Sequence, residues 1–89
     1  GYNLIMDLEA KLSEALLGTE KVVHTLDGEI TLKVPSGTKH GTILRVKGKG
    51  IPQGNNRRGY LYIRISVQIP DKLSREARKA VEELKKLKG

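Results

Sequence analysis

Eighty-nine residues, a hydrophobic content of 37%, a formal net charge of +7 and no cysteine describe one small domain. They exclude a disulfide scaffold and a thiolate metal centre, and no apolar run is long enough to cross a bilayer as a helix. Phe and Trp are absent, so the core has to be aliphatic, with Leu, Ile and Val inside and three tyrosines at its margins. The lack of cysteine fits a reducing compartment, and a cytoplasmic location is expected. The chain opens on Gly1 and runs straight into strand-like sequence, as expected of a segment of a longer protein.

In chain order, Tyr2, Leu4, Met6 and Leu8 alternate with Asn3, Asp7 and Glu9, which predicts a half-buried strand. Ile5 interrupts the polar side and suggests cover on both faces at the strand's middle. Residues 13–18 (SEALLG) read as one helical turn, capped by Ser13 and ended by Gly18, with Leu12, Leu16 and Leu17 plugging one end of a core. Residues 20–26 form a second strand, and Asp27-Gly28 signals a two-residue hairpin loop. With that loop Thr25 opposes Ile30, His24 opposes Thr31 and Val23 opposes Leu32. Val23, Ile30, Leu32 and Val34 then share the inner face, and His24, Thr31 and Lys33 the outer one. Bends at residues 35–37 and at Gly41 lead to a strand over 42–47, with Leu44 and Val46 inward and Arg45 and Lys47 outward. After GKG (48–50) and the polar loop QGNNRRG (53–59), every odd position from Leu61 to Ile69 is apolar. This clearest strand of the chain is expected at the centre of the sheet, with Tyr60, Tyr62, Arg64, Ser66 and Gln68 on its other face. Ser74 caps a helix to about Lys88 whose stripe of Ala77, Ala80, Val81, Leu84 and Leu87 either folds onto its own sheet or meets a partner helix.

No catalytic set, cofactor site or metal site is legible. The glycines at 48 and 50 lack the spacing and following helix of a phosphate loop, and read as a bend. His24 and His40 have no third ligand at metal spacing, and no serine lies in a nucleophile elbow, so no enzyme is expected. Charge is the more informative feature, because residues 30–70 contain no Asp or Glu. Arg45, Lys47, Lys49, Arg57, Arg58 and Arg64 are therefore candidates for a surface that attracts an acidic partner. Tyr60 and Tyr62 beside Arg64 raise nucleic-acid binding as the alternative, against which stand an aromatic content of 3% and the absence of an RRM or KH motif.

Taken together, EALLG at 14–18, TLDG at 25–28, KVPSGT at 33–38, RVKGKGIP at 45–52, RRGYLYIRISVQIP at 57–70 and LSREA at 73–77 resemble the C-terminal domain of the DnaJ family of J-domain co-chaperones. The TLDG hairpin and trailing helix resemble the second of that family's two related subdomains. Tyr60 stands where the family usually carries an acid, leaving a local strand-edge contact without it. The resemblance implies a mainly β fold: a small two-sheet antiparallel β-sandwich over residues 1–72, with one short helix and a C-terminal α-helix over 73–89. It implies a parent that is a homodimer, holds unfolded client polypeptide and delivers it to a DnaK-type chaperone while stimulating its ATPase. Leu73, Ala77, Ala80, Val81, Leu84 and Leu87 would then form the dimer contact. This stretch has neither the His-Pro-Asp tripeptide of the J domain nor the cysteine repeats of the zinc module, so it is expected neither to stimulate ATP hydrolysis nor to bind zinc.

Overall fold

The computed structural model describes residues 3–54 and 57–89, with only the backbone of Gln53 and Arg57. Tyr2, Asn55 and Asn56 lie outside the described residues. The elements in order are β1 (Leu4–Lys11), α1 (Leu12–Leu17), β2 (Thr19–Thr25), β3 (Gly28–Val34), β4 (Ile43–Val46), β5 (Pro52–Gly54), β6 (Arg57–Arg58), β7 (Leu61–Gln68) and α2 (Arg75–Lys86).

The strand of odd-numbered apolar residues is central, as its pattern requires: β7 lies between β1 and β4. β4 pairs with it antiparallel and sets Leu44 beside Ile63 and Val46 beside Leu61. β1 pairs with it in parallel, in the register Leu4↔Leu61 to Lys11↔Gln68. A parallel pair needs a long crossover between its strands, and here everything from α1 to the polar loop supplies it. The β2–β3 hairpin packs its inner side on this sheet, and Val23, Leu32, Val34, Ala10, Leu61, Ile63 and Ile65 form the buried core. That core is wholly aliphatic.

Three local expectations are corrected. The hairpin pairs Thr25 with Gly28, His24 with Glu29 and Val23 with Ile30, two residues away from the expected register, so Leu26 and Asp27 form the loop. Gly28, at φ +112, supplies the positive dihedral from the first paired position. The Thr25 hydroxyl fixes the turn by donating to the Gly28 carbonyl at 2.7 Å and accepting from Asp27 N–H at 3.2 Å. The inner face survives because side chains alternate with period two, and a shift of two leaves every one on its side. Secondly, α1 begins a residue earlier, and its start is satisfied by Glu14, whose carboxylate accepts from Lys11 N–H at 2.8 Å, rather than by Ser13. Its plug is Ala15, which is buried, while Leu16 and Leu17 are exposed. The Ala15 and Leu16 carbonyls accept from the Thr38 and Gly37 N–H groups, so the corner after β3 closes the end of this short helix. Thirdly, Ile5 is exposed, since its face of β1 looks to solvent.

Candidate functional site

Among the described residues no group of three His, Cys, Asp or Glu is placed to hold a metal ion, and no helix is long and apolar enough to cross a membrane. The surfaces available for function are the basic set, the grooves at the ends of the sandwich and the trailing helix.

Folding divides the basic set. Arg58 reaches across the polar loop to Asp27 in the hairpin turn and also donates to the Gly50 carbonyl from Nε at 3.2 Å and Nη2 at 3.0 Å. Lys49 Nζ lies 3.9 Å from the same Asp27 carboxylate. The glycine bend is thereby tied to the hairpin, with Arg58 as the tie. Arg64 forms a two-point pair with Asp7, its register partner on β1, with Nε–Oδ1 at 2.7 Å and Nη2–Oδ2 at 3.3 Å. Arg45 lies over the Tyr60 ring, 4.8 Å from its centroid, and Lys47 is exposed. The Arg57 side chain is outside the described residues. The acid-free window of the sequence is thus partly neutralised in space by Asp7 and Asp27, which lie outside it.

Those contacts set the acid response. The Arg58 hydrogen bond, then its charge and that of Lys49, hold the Asp27 carboxyl below its ordinary value. Arg64 does the same for Asp7 and is itself raised in return. Glu14 is lowered by the Lys21 hydrogen bond and then by Lys11 N–H. A carboxyl depressed in the folded state binds protons more readily when unfolded, so its contribution is complete above the unfolded value of about 4 and is lost as pH falls through the folded one. The urea midpoint is therefore expected to hold steady near neutrality and drop below about pH 4. The drop should be smaller in a D7N/D27N variant. An equal drop in that variant would show that these pairs are not its source.

The trailing helix is the largest uncovered feature. Ser74 caps it by accepting from Ala77 N–H at 3.1 Å, and the basic Lys85 and Lys86 occupy its last turn. None of its residues is buried, and Leu87 is 73% exposed. The helix stands away from the sandwich: the chain measures 56 × 21 × 18 Å with a radius of gyration of 16.6 Å, against about 12 Å for a compact domain of this length. Its base meets a groove of about 390 Å³ lined by Leu12, Ile69, Pro70, Leu73 and Val81 among others. The stripe that could have folded onto its own sandwich therefore meets it only through Leu73, ahead of the helix, and Val81 at its middle. Leu73 and Val81 reach the groove, and Ala80, Leu84 and Leu87 remain open to solvent.

Sequence reasoning missed the tie made by Arg58 and the pairing of Arg64. For Arg64 a signal was present: Asp7 and Arg64 occupy matching polar positions in two alternating runs, Met6-Asp7-Leu8 and Ile63-Arg64-Ile65.

Comparison with known proteins gives one consistent result. The family model described as the DnaJ C terminal domain matches residues 1–70. Proteins named Chaperone protein DnaJ align over the whole chain, with 45% identity over 91 residues in Thermosipho melanesiensis, 44% over 90 in Thermotoga maritima and 40% over 90 in Treponema denticola. The alignments cover 24% of each of those proteins, so the chain spans about a quarter of the length of the relatives it matches.

Proposed function

The chain belongs to the DnaJ C-terminal domain family, and from that premise we propose that it serves as the coupling segment of a DnaJ-type co-chaperone. In this reading residues 1–72 are a non-enzymatic sandwich that helps hold unfolded polypeptide, and residues 73–89 join two copies of the parent. The parent, a homodimer in the cytoplasm, delivers its clients to a DnaK-type chaperone. Two weakly holding sandwiches fixed to one another act at high effective concentration on a single client chain, which raises avidity without any new contact.

The observation that carries the reading is the uncovered stripe of α2. A solvated helix of twelve residues is marginal unless its apolar face is packed. Val81, Leu84 and Leu87, with Leu73 at the root and Ala77 and Ala80 between, offer such a face to a second copy. The groove beside Leu12 and Ile69 continues that face onto the sandwich and enlarges the area a partner would cover. For an acidic partner such as a chaperone tail, Arg45 and Lys47 are the cations of the basic set that have no carboxylate at ion-pair distance among the described residues, since Arg58, Lys49 and Arg64 already hold carboxylates.

Leu84→Asp tests the dimer. Sedimentation of the wild-type chain is expected to give the mass of two copies, and the variant that of one, because an unpaired carboxylate in a closed apolar seam costs several kcal/mol. A wild type that is monomeric at high concentration, or a variant that still dimerises, would overturn the assignment to α2.

A further inference from the structure

The solvent-facing side of the three-stranded sheet is more apolar than an idle surface requires. Ile5 is 69% and Ile43 56% exposed. Tyr62 stands between Ile5 on β1 and Arg45 on β4 in the register. Tyr60 is its neighbour, with ring centroids 6.1 Å apart and planes tilted by 45°. Across the strands Ile5, Tyr62 and Arg45 form one row of this face, and the next row is Asp7, Arg64 and Ile43, so the apolar side chains run as a diagonal strip beside the Arg64–Asp7 pair.

The charges along the strip are unequal in kind. Arg64 is satisfied by Asp7, whereas Arg45 rests on the face of Tyr60. Among the described residues neither Arg45 nor Lys47 has a carboxylate at ion-pair distance. An arginine stacked on an aromatic ring is held in position while keeping its hydrogen-bonding edge and its charge available to a ligand. The face thus presents an apolar strip with positioned, uncompensated cations at its β4 side. Asp7 and Glu9 on the β1 side disfavour a polyanion lying across it, which separates this surface from a nucleic-acid platform.

We propose that this face docks an extended segment of unfolded polypeptide in which an aliphatic stretch is flanked by acidic residues. The aliphatic side chains would lie on Ile5, Tyr62 and Ile43, and the carboxylates would meet Arg45 and Lys47. The proposal rests on the client-holding reading above and adds to it the surface and the ligand chemistry.

The test uses the whole 89-residue chain and two short fluorescent peptides with one aliphatic core, flanked by Asp in one and by Lys in the other. Anisotropy titration is expected to show the Asp-flanked peptide binding about tenfold tighter, an advantage that shrinks as salt is added. Tyr60→Asp places a carboxylate beside Arg45 and should abolish that preference. Ile5→Ser, at a solvent-facing position, should weaken both peptides severalfold while leaving thermal unfolding unchanged. Equal affinity for the two peptides, or wild-type binding in both variants, would overturn the proposal. So would a single-stranded oligonucleotide that binds more tightly than either peptide and is lost in Tyr60→Asp. Carboxymethylated, permanently unfolded α-lactalbumin separates the two levels of the argument. If the chain retains it and both variants retain it equally, client holding stands and this surface falls. If the wild type binds neither peptide nor lactalbumin, both fall.

Discussion

Ile63→Ala is expected to lower the thermal midpoint of the domain by roughly 15 °C. Ile63 has no exposed surface and sits at the middle of the central strand, flanked in the register by Met6 on one side and Leu44 on the other. Truncation removes three methyl or methylene carbons from a core of seven buried residues, and neither neighbouring strand can close the gap without losing its own ladder. The transfer and cavity terms together come to about 3 kcal/mol. In a domain of this size each kcal/mol is worth roughly 4–8 °C. Total stability is about 5–15 kcal/mol, so the loss is a large fraction of it. Circular dichroism melts of the two proteins measure the effect. A shift of only a degree or two would mean that the sandwich is looser around β7 than its burial indicates.

The second large effect is expected at Gly18, a residue with no side chain to lose. Its φ of +85° with ψ 154° lies in a region that glycine alone adopts readily and that costs another residue about 1–3 kcal/mol. A methyl group there would also stand 3.0 Å from the Ser36 backbone nitrogen and 3.3 Å from the Val34 carbonyl oxygen. Both neighbours are backbone, in or next to a strand of the core sheet, so neither yields without moving β3 or the corner that caps α1. Strain and crowding add, and Gly18→Ala is expected to cost about 2 kcal/mol or more in urea unfolding. Gly37→Ala is the control: it too has a positive φ, +76°, but nothing lies within 4 Å of the added carbon, so it should cost only the backbone part. Equal losses at the two sites would show that the close approach at Gly18 contributes nothing.

These two residues also mark how far the sequence could be read. The burial of Ile63 follows from the unbroken alternation of residues 61–69, which has only one face to hide. The role of Gly18 as a helix terminator was legible, but its contact with residues 34–36 was not, since no periodicity reports which distant backbone will pass close by. The hairpin shows the same division. Alternation assigned Val23, Ile30, Leu32 and Val34 to the inside, while the register moved by two because Thr25 and Asp27 bind the turn and Arg58 binds Asp27 from another element. Ser74, the stripe of α2 and the glycine bend all follow local rules, and all stand where those rules put them.

The proposed surfaces divide along the same line. The apolar stripe of α2 could be listed residue by residue from its 3.6-residue period, but only the folded chain decides that the sandwich leaves it uncovered beyond Val81. The basic window between residues 30 and 70 was equally plain in the sequence. Which cations remain unpaired was decided by tertiary pairing alone. Parallel alignment of β1 with β7 brings Asp7 to Arg64. The hairpin turn brings Asp27 to Arg58, leaving Arg45 on Tyr60 and Lys47 in solvent. The sequence by itself determined the five longer strands, their inner faces, the Ser74 cap and the family, because each of these rests on spacing and on short-range chemistry. Strand partners, hairpin register and the compensation of charge came only with the tertiary structure, because they depend on contacts between residues as far apart as Asp7 and Arg64, which local sequence does not encode.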